Sequence, residues 1–471
     1  MLTSHRALLK SIALDLVKRV LIVLPSHRLR ELSLPSDLAL DGPLMMQIAT
    51  NQQNLEDVDW PIVFTHLKDT LSSPLVSSDW LASLHSTSLP ETVGSIDDLV
   101  GYNLILRTAK QLKTLGIGSN KISGTEACLQ PDEFAQTLFS HIAPFGKEDP
   151  LSIESLSLTD LALGAFEQSY LRVFDWHAIK SLAVWGCPGT HNLLDHLASR
   201  FEEQPAKLRS FECVVAETTR PQQLSRFLRQ CAGATELILS YHADCSDLTL
   251  IPLIPELAVM ISIVPTLRHL TLEVFKDSFI SYQSSDLATL PAEFVQDLVD
   301  HGIQLRKIAL GFPEYAVSND FWDVNEPWRK QIEILASLPN LRALRVLNWP
   351  LGPVNLLQLG HSTTHDRVEH EVTWRRYAAQ FAKFATRAVR CVHAVRKREG
   401  FNPLRVLCIG NRSSAVEVAA EDGQHEFPGQ VVCYVLAMQS SLGEGEALFA
   451  REVSSSDVCY DDQNYRSVTY V

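Results

Sequence analysis

Apolar residues along this chain follow one short grammar: an apolar residue, two variable positions, a second apolar residue, one variable position and a third. It occurs as LRELSL at Leu29, LEDVDW at Leu55, LKTLGI at Leu112, IESLSL at Ile153, IKSLAV at Ile179 and LRSFEC at Leu208. It continues as ATELIL at Ala234, LRHLTL at Leu267, LRKIAL at Leu305, LRALRV at Leu341 and LRVLCI at Leu404. In an extended chain, positions four and six of each copy point to one face, and positions three and five to the other. One such strand cannot bury its inward residues alone, so its neighbours must stack into a continuous core. Each buried Leu or Ile then contributes about 1.5–3 kcal/mol before entropy is subtracted.

Between these strands the period changes to that of a helix. Segments from Pro131, Thr190, Arg220, Leu290 and Glu326 carry apolar residues three and four apart, each begun by a capping residue or a proline. The alternation predicts an α/β solenoid, with a curved parallel sheet on the concave side and helices on the convex side. The segment QLKTLGIGSNKI completes a longer consensus, because Asn120 stands at position nine of the copy that starts at Leu112. Cys187 holds the same position in the copy at Ile179.

With these residues the chain resembles the leucine-rich-repeat family, in particular the irregular repeat regions of fungal F-box-type proteins. The resemblance implies that Asn120 and Cys187 hydrogen-bond the backbone of the turn leaving their strands. Position nine departs from the family pattern elsewhere, with Leu161, Ala216, His242, Phe275, Pro313, Trp349 and Arg412, which implies uneven turns. It also implies a non-enzymatic protein-binding scaffold, with substrate recognition for a ubiquitin ligase as the finer expectation. A Skp-type adaptor would be a partner only if an F-box is present, and LPSDLALDG at Leu34, LPETVGSIDDLV at Leu89 and LPAEFVQDLVDHG at Leu290 are its superficial matches. All three lie within the array, where Pro followed by acid is ordinary helix capping. An incomplete or non-functional relic of a longer F-box protein is the second reading.

Four segments are expected. Residues 1–28 form an N-terminal amphipathic cap, with Leu8, Leu9, Ile12, Leu16, Val20 and Val23 packing on the start of the array. Residues 29–360 are the irregular array, with the repeat count open between Trp60 and Leu112. Residues 361–400 hold a long basic helix with Phe384, Ala388, Val392 and Val395 on its apolar face and Arg390, Arg396, Lys397 and Arg398 on its solvated face. Residues 401–471 supply the last repeat strand and an acidic C-terminal cap that includes the apolar run from Val431.

The variable positions bear on binding. Positions three and five start acidic with Glu31, Asp57 and Asp59, and end basic with His269, Lys307 and Arg345. Position two adds Arg268, Arg306, Arg342 and Arg405. A concave face graded from acidic to basic would receive a partner's acidic segment at the late repeats. Solvation of the strand starts is the plainer reading of the position-two arginines. A formal charge of −14 argues against a general nucleic-acid binder.

Candidate chemistry is sparse. GIGSN lacks the Gly-Lys-Ser/Thr of a phosphate loop. Gly360, His361 and Ser362 open like a nucleophile elbow, but Thr364 replaces the final glycine, so a serine hydrolase is a remote alternative. His361, His365 and His370 lack the glutamate of a zincin motif, and no cofactor or metal is expected. Nine scattered cysteines with no C-x-x-C pair fit a reducing compartment, the cytoplasm or nucleus. The N-terminal apolar runs, broken by Lys10, Asp15, Lys18 and Arg19, are too short to span a membrane.

Overall fold

The computed structural model describes residues 12, 15–21, 23–34, 40–59, 64–77, 79–89, 96–118, 131–143, 145–161, 163, 172–215, 221–244, 266–277, 292–311, 326–347, 367–409, 432–440 and 446–453. The chain divides into two units, Met1–Cys231 and Ala232–Val471. The named elements of the first are β1 (Glu31–Ser33), α1 (Gly42–Asn51), β2 (Asp57–Asp59), α2 (Phe64–Leu71), β3 (Ser86–Ser88), α3 (Ile96–Thr108), β4 (Thr114–Ile117), α4 (Pro131–Leu138), β5 (Ser155–Thr159), β6 (Ser181–Trp185), α5 (Thr190–Glu203), β7 (Ser210–Val215) and α6 (Pro221–Arg229). Those of the second are β8 (Glu236–Asp244), β9 (His269–Asp277), α7 (Ala292–His301), β10 (Lys307–Leu310), α8 (Glu326–Ala336), β11 (Ala343–Val346), α9 (Arg367–Glu399), β12 (Val406–Ile409), β13 (Val432–Ser440) and β14 (Glu446–Val453).

Strands pair in chain order within each unit. The pairing is parallel from β1 to β7 and from β8 to β12. It turns antiparallel at β13 and β14. This is an α/β architecture with mostly parallel, open sheet, compatible with a solenoid-like fold. All eleven copies of the sequence grammar carry a strand. A twelfth, β3, fills the stretch from Trp60 to Leu112 where the count was open; Thr87 stands there in the inward place of a leucine, between Val58 and Leu115.

A repeated hydrogen-bond device aligns the strand starts. The N–H groups of positions two and three both donate to the position-two carbonyl of the preceding strand. Glu56 and Asp57 reach the Arg30 oxygen at 2.7 and 3.0 Å, Lys180 and Ser181 reach Glu154 at 2.7 and 3.0 Å, and Arg306 and Lys307 reach Arg268 at 2.7 and 3.0 Å. Register is thereby fixed one residue before each strand, and a one-residue slip would turn the inward leucines outward. Those inward residues, among them Leu156, Leu158, Leu182, Val184, Leu270, Ile308 and Leu344, are all buried.

Two expectations are corrected. Ile12, Leu16, Val20 and Val23 are 49, 57, 56 and 78 % exposed, so the described part of the N-terminal apolar stripe is not a packing face; Leu8 and Leu9 lie outside the described residues. Helical residues 15–21 are instead held by buried Leu21 and by Lys18 Nζ, 2.7 Å from the Asp41 carboxylate that also caps α1 through the Leu44 N–H. Along α9, Phe384, Ala388, Val392 and Val395 are buried as the periodicity indicates, but Arg396, expected in solvent, is only 1 % exposed.

Cys187 sits in the turn after β6. Its Sγ accepts the Leu161 N–H at 3.4 Å and donates towards the Trp185 and Leu158 carbonyls at 3.2 and 3.5 Å, and burial pushes its thiol up to about 12. Gly186 before it has φ +58°, and a Cβ there would stand 2.2 Å from Asp160 Oδ1. Gly186→Ala is therefore expected to cost about 2 kcal/mol, combining left-handed strain with displacement of Asp160. Urea denaturation measures it, and an unchanged midpoint would refute the account. Asn120 lies outside the described residues.

Candidate functional site

The position-two row distinguishes the two units. In the first it runs Arg30, Glu56, His85, Lys113, Glu154, Lys180 and Arg209, aligned by the hydrogen bonds at the strand starts. Opposite charges meet along it: Arg30 Nη1 lies 3.2 Å from Glu56 Oε1, and Lys180 Nζ lies 2.8 Å from Glu154 Oε1. The hydrogen bond from Lys180 holds the Glu154 carboxyl below its ordinary range, with Lys113 and Arg209 adding to the effect.

In the second unit the same row runs Thr235, Arg268, Arg306, Arg342 and Arg405. Four arginines follow one another with no carboxylate in the row. Arg268, Arg342 and Arg405 are exposed and Arg306 is half-buried. At strand spacing of about 4.8 Å the four backbone positions span about 14 Å. Like charges about 5 Å apart in water repel by only about 0.8 kcal/mol, so the sheet tolerates the row while its summed field favours an anion laid across it.

Position three gives a second row in register: Glu236, His269, Lys307, Ala343 and Val406. Position five gives a third: Ile238, Thr271, Ala309, Arg345 and Cys408. Glu236, His269, Thr271, Lys307, Ala309, Ala343, Arg345 and Cys408 line one recess on this face. His269 Nδ1 is 3.8 Å from Glu236 Oε1, an electrostatic neighbour beyond hydrogen-bond reach.

Period-two alternation places Lys307 and Arg345 in solvent, and here the structure differs. Lys307 is 8 % and Arg345 4 % exposed, and every residue of β10, β11 and β12 is buried on both faces of the sheet. Of the seven late basic residues singled out from the sequence, the accessible set is therefore the row of Arg268, Arg306, Arg342 and Arg405 with half-buried His269, while Lys307 and Arg345 belong to the covered interior of the recess. The early acidic positions are in place too. Burial raises the Asp57 carboxyl above its ordinary range, with Glu31 and Glu56 adding repulsion, and Asp59 accepts from the Ser88 hydroxyl at 2.6 Å.

His361, Ser362, Thr364 and His365 lie outside the described residues, as does the side chain of His370. No group of three or more His, Cys, Asp or Glu side chains that could hold a metal occurs among the described residues. Among the same residues, no helix is long and apolar enough to cross a membrane.

No protein-family model matches the chain, and no curated protein matches it. Its function has to be read from its own residues.

Proposed function

We propose that this chain is a non-enzymatic protein-binding scaffold of leucine-rich-repeat type, whose second unit takes an acidic segment of a partner protein along Arg268, Arg306, Arg342 and Arg405. The observation that carries this reading is the contrast between the two units. The same structural position holds residues of both charges in one, with the ion pairs Arg30–Glu56 and Lys180–Glu154 along it, and four consecutive arginines in the other. Guanidinium groups at strand spacing suit carboxylates carried by an extended peptide, because each fork can take two parallel hydrogen bonds.

A synthetic Glu- and Asp-rich peptide followed by fluorescence anisotropy tests it. The wild-type chain is expected to bind with an affinity that falls as salt rises. Arg342→Glu with Arg405→Glu is expected to weaken binding at least about tenfold through like-charge repulsion, while stability changes by no more than about 0.5 kcal/mol at these exposed sites. Equal affinity in the folded double variant would sink the reading. Tighter binding of a single-stranded oligonucleotide than of the peptide would transfer the site to phosphate recognition. Reversing Lys307 or Arg345 is not a docking test, because either change buries a carboxylate.

Substrate recognition for a ubiquitin ligase is a finer proposal that rests on the resemblance. Affinity capture from native extract scored for a Skp-type adaptor and cullin tests it, and capture of other reproducible partners without them favours a free-standing scaffold. Compartment follows the same reading, cytoplasm or nucleus.

A further inference from the structure

The C-terminal end of α4 is held by a side chain of the helix before it. Asn103 of α3 is buried, and its Nδ2 donates to the Leu138 carbonyl at 2.7 Å, one of the oxygens that a helix end leaves without an intrahelical partner. The same Nδ2 lies 2.9 Å from His141 Nδ1 and 3.1 Å from the Ser140 hydroxyl. The carbonyl contact fixes the orientation of the amide, since its own oxygen could not donate to Leu138. An amide NH2 is a donor only, so His141 Nδ1 must be the acceptor. The imidazole is therefore neutral here, with its proton on Nε2.

The main chain around the ring is closely tied. The Glu148 N–H donates to the His141 carbonyl and the Ala143 N–H to the Glu148 carbonyl, both at 2.9 Å, and the Gly146 N–H reaches the Ile142 carbonyl at 2.7 Å. Burial is the strongest influence against a second proton on the imidazole. Glu148 in the returning loop favours one, whereas Lys110 just beyond α3 and Arg107 in its last turn oppose it, and the ring is held below the ordinary imidazole range.

From this geometry we infer that Asn103 and His141 form a proton-operated latch between α3 and the end of α4. A histidinium carries protons on both nitrogens, so protonation of the closed latch would set two donors against each other 2.9 Å apart. The closed latch takes the second proton only by giving up the Asn103 bond. When the end of α4 opens locally, the ring takes it in water at the ordinary value of about 6.5. Falling pH therefore favours opening. By linkage, the latch's contribution to stability is complete above that ordinary value and is lost as pH falls through the lower value of the folded ring. The device lies in the first unit and acts independently of the arginine row of the second.

Main-chain hydrogen exchange of the full-length chain between about pH 7.5 and about pH 5 tests it, read by mass spectrometry and corrected for the intrinsic pH dependence of exchange. Peptides from the end of α4 to Ala143 are expected to lose protection as pH falls, about tenfold for each unit by which folding lowers the titration point of His141. Peptides of α6, which contains no histidine, should keep theirs. His141→Gln supplies an acceptor oxygen that does not titrate, so its protection should be the same at both pH values. Exchange of the imidazole C2 hydrogen gives the titration point of His141 itself, expected below the ordinary value. Unchanged wild-type protection, an equal loss in α6, a loss in His141→Gln like that of the wild type, or a ring titrating at or above the ordinary value would each overturn the latch. The wild-type measurements stand even if the variant does not fold.

Discussion

Arg396→Leu is expected to destabilise the second unit by about 3–5 kcal/mol, because several buried main-chain carbonyls lose their hydrogen-bond donor at once. The guanidinium is buried in α9, and its hydrogen bonds go to main-chain oxygens. Nη1 donates to the Ala336 carbonyl at 3.2 Å and to Leu338 at 2.7 Å, Nη2 donates to Pro339 at 3.1 Å, and Nε donates to Asn402. Ala336 ends α8, so the arginine satisfies carbonyls that a helix C-terminus leaves without an intrahelical partner. It also lies 5.7 Å from the centre of the Phe401 ring. Leucine would fill part of the volume and strand those oxygens away from water, each at about 1–3 kcal/mol. Arg396→Lys keeps the charge but loses the planar fork, and most of the loss should persist. Hydrogen exchange resolved to the peptides of α8 and α9 measures this directly. Wild-type protection in Arg396→Leu would show that the carbonyls find other partners.

Phe227→Ala is expected to cost about 3–5 kcal/mol in the first unit, through lost apolar burial and the cavity left behind. Phe227 is fully buried on α6, its ring 4.8 Å from Phe211 of β7 and 6.2 Å from Phe201 of α5. These three rings join the last strand of that unit to its last two helices, so the loss should be cooperative. Phe227→Leu keeps most of the volume and should lose far less. A double-mutant cycle with Phe211→Ala is expected to give a coupling of about 0.5–1.5 kcal/mol beyond additivity. Additive losses in urea denaturation would mean that the rings fill space without a specific mutual contact.

The strands were legible because their rule is simple: two inward apolar residues, spaced by two, must appear wherever a strand meets the core. The rule missed β3, where Thr87 occupies an inward position without the apolar signal. Periodicity also says which residues share a face but not what lies against it. For that reason the stripe of Ile12, Leu16, Val20 and Val23 reads like a buried face and is exposed. Arg396 differs from exposed Lys397 and Arg398 only in what surrounds it, and its neighbours come from α8, about sixty residues away in sequence. Lys307 and Arg345 obey the alternation of their strands, yet both faces of those strands are covered. The arginine row was visible as a list of residues; its significance needed the register, which brings four distant positions side by side.

The strand order at the far end of the second unit limits where this array can lengthen. A parallel array lengthens by duplication as long as its last strand presents open backbone to a newcomer running in the same direction. Here the direction reverses at β13, and β14 is the last strand in this order among the described residues. Side chains of α9 already occupy two of its main-chain groups: Arg390 Nε donates to the Leu448 carbonyl at 2.6 Å, and the Ala450 N–H donates to the Thr386 hydroxyl at 3.2 Å. A copied repeat appended beyond this point would meet a strand of the wrong polarity with part of its edge engaged. Lineages descended from this sequence should therefore differ in length through insertions or losses before β12, while the segment from α9 to β14 is inherited as a block.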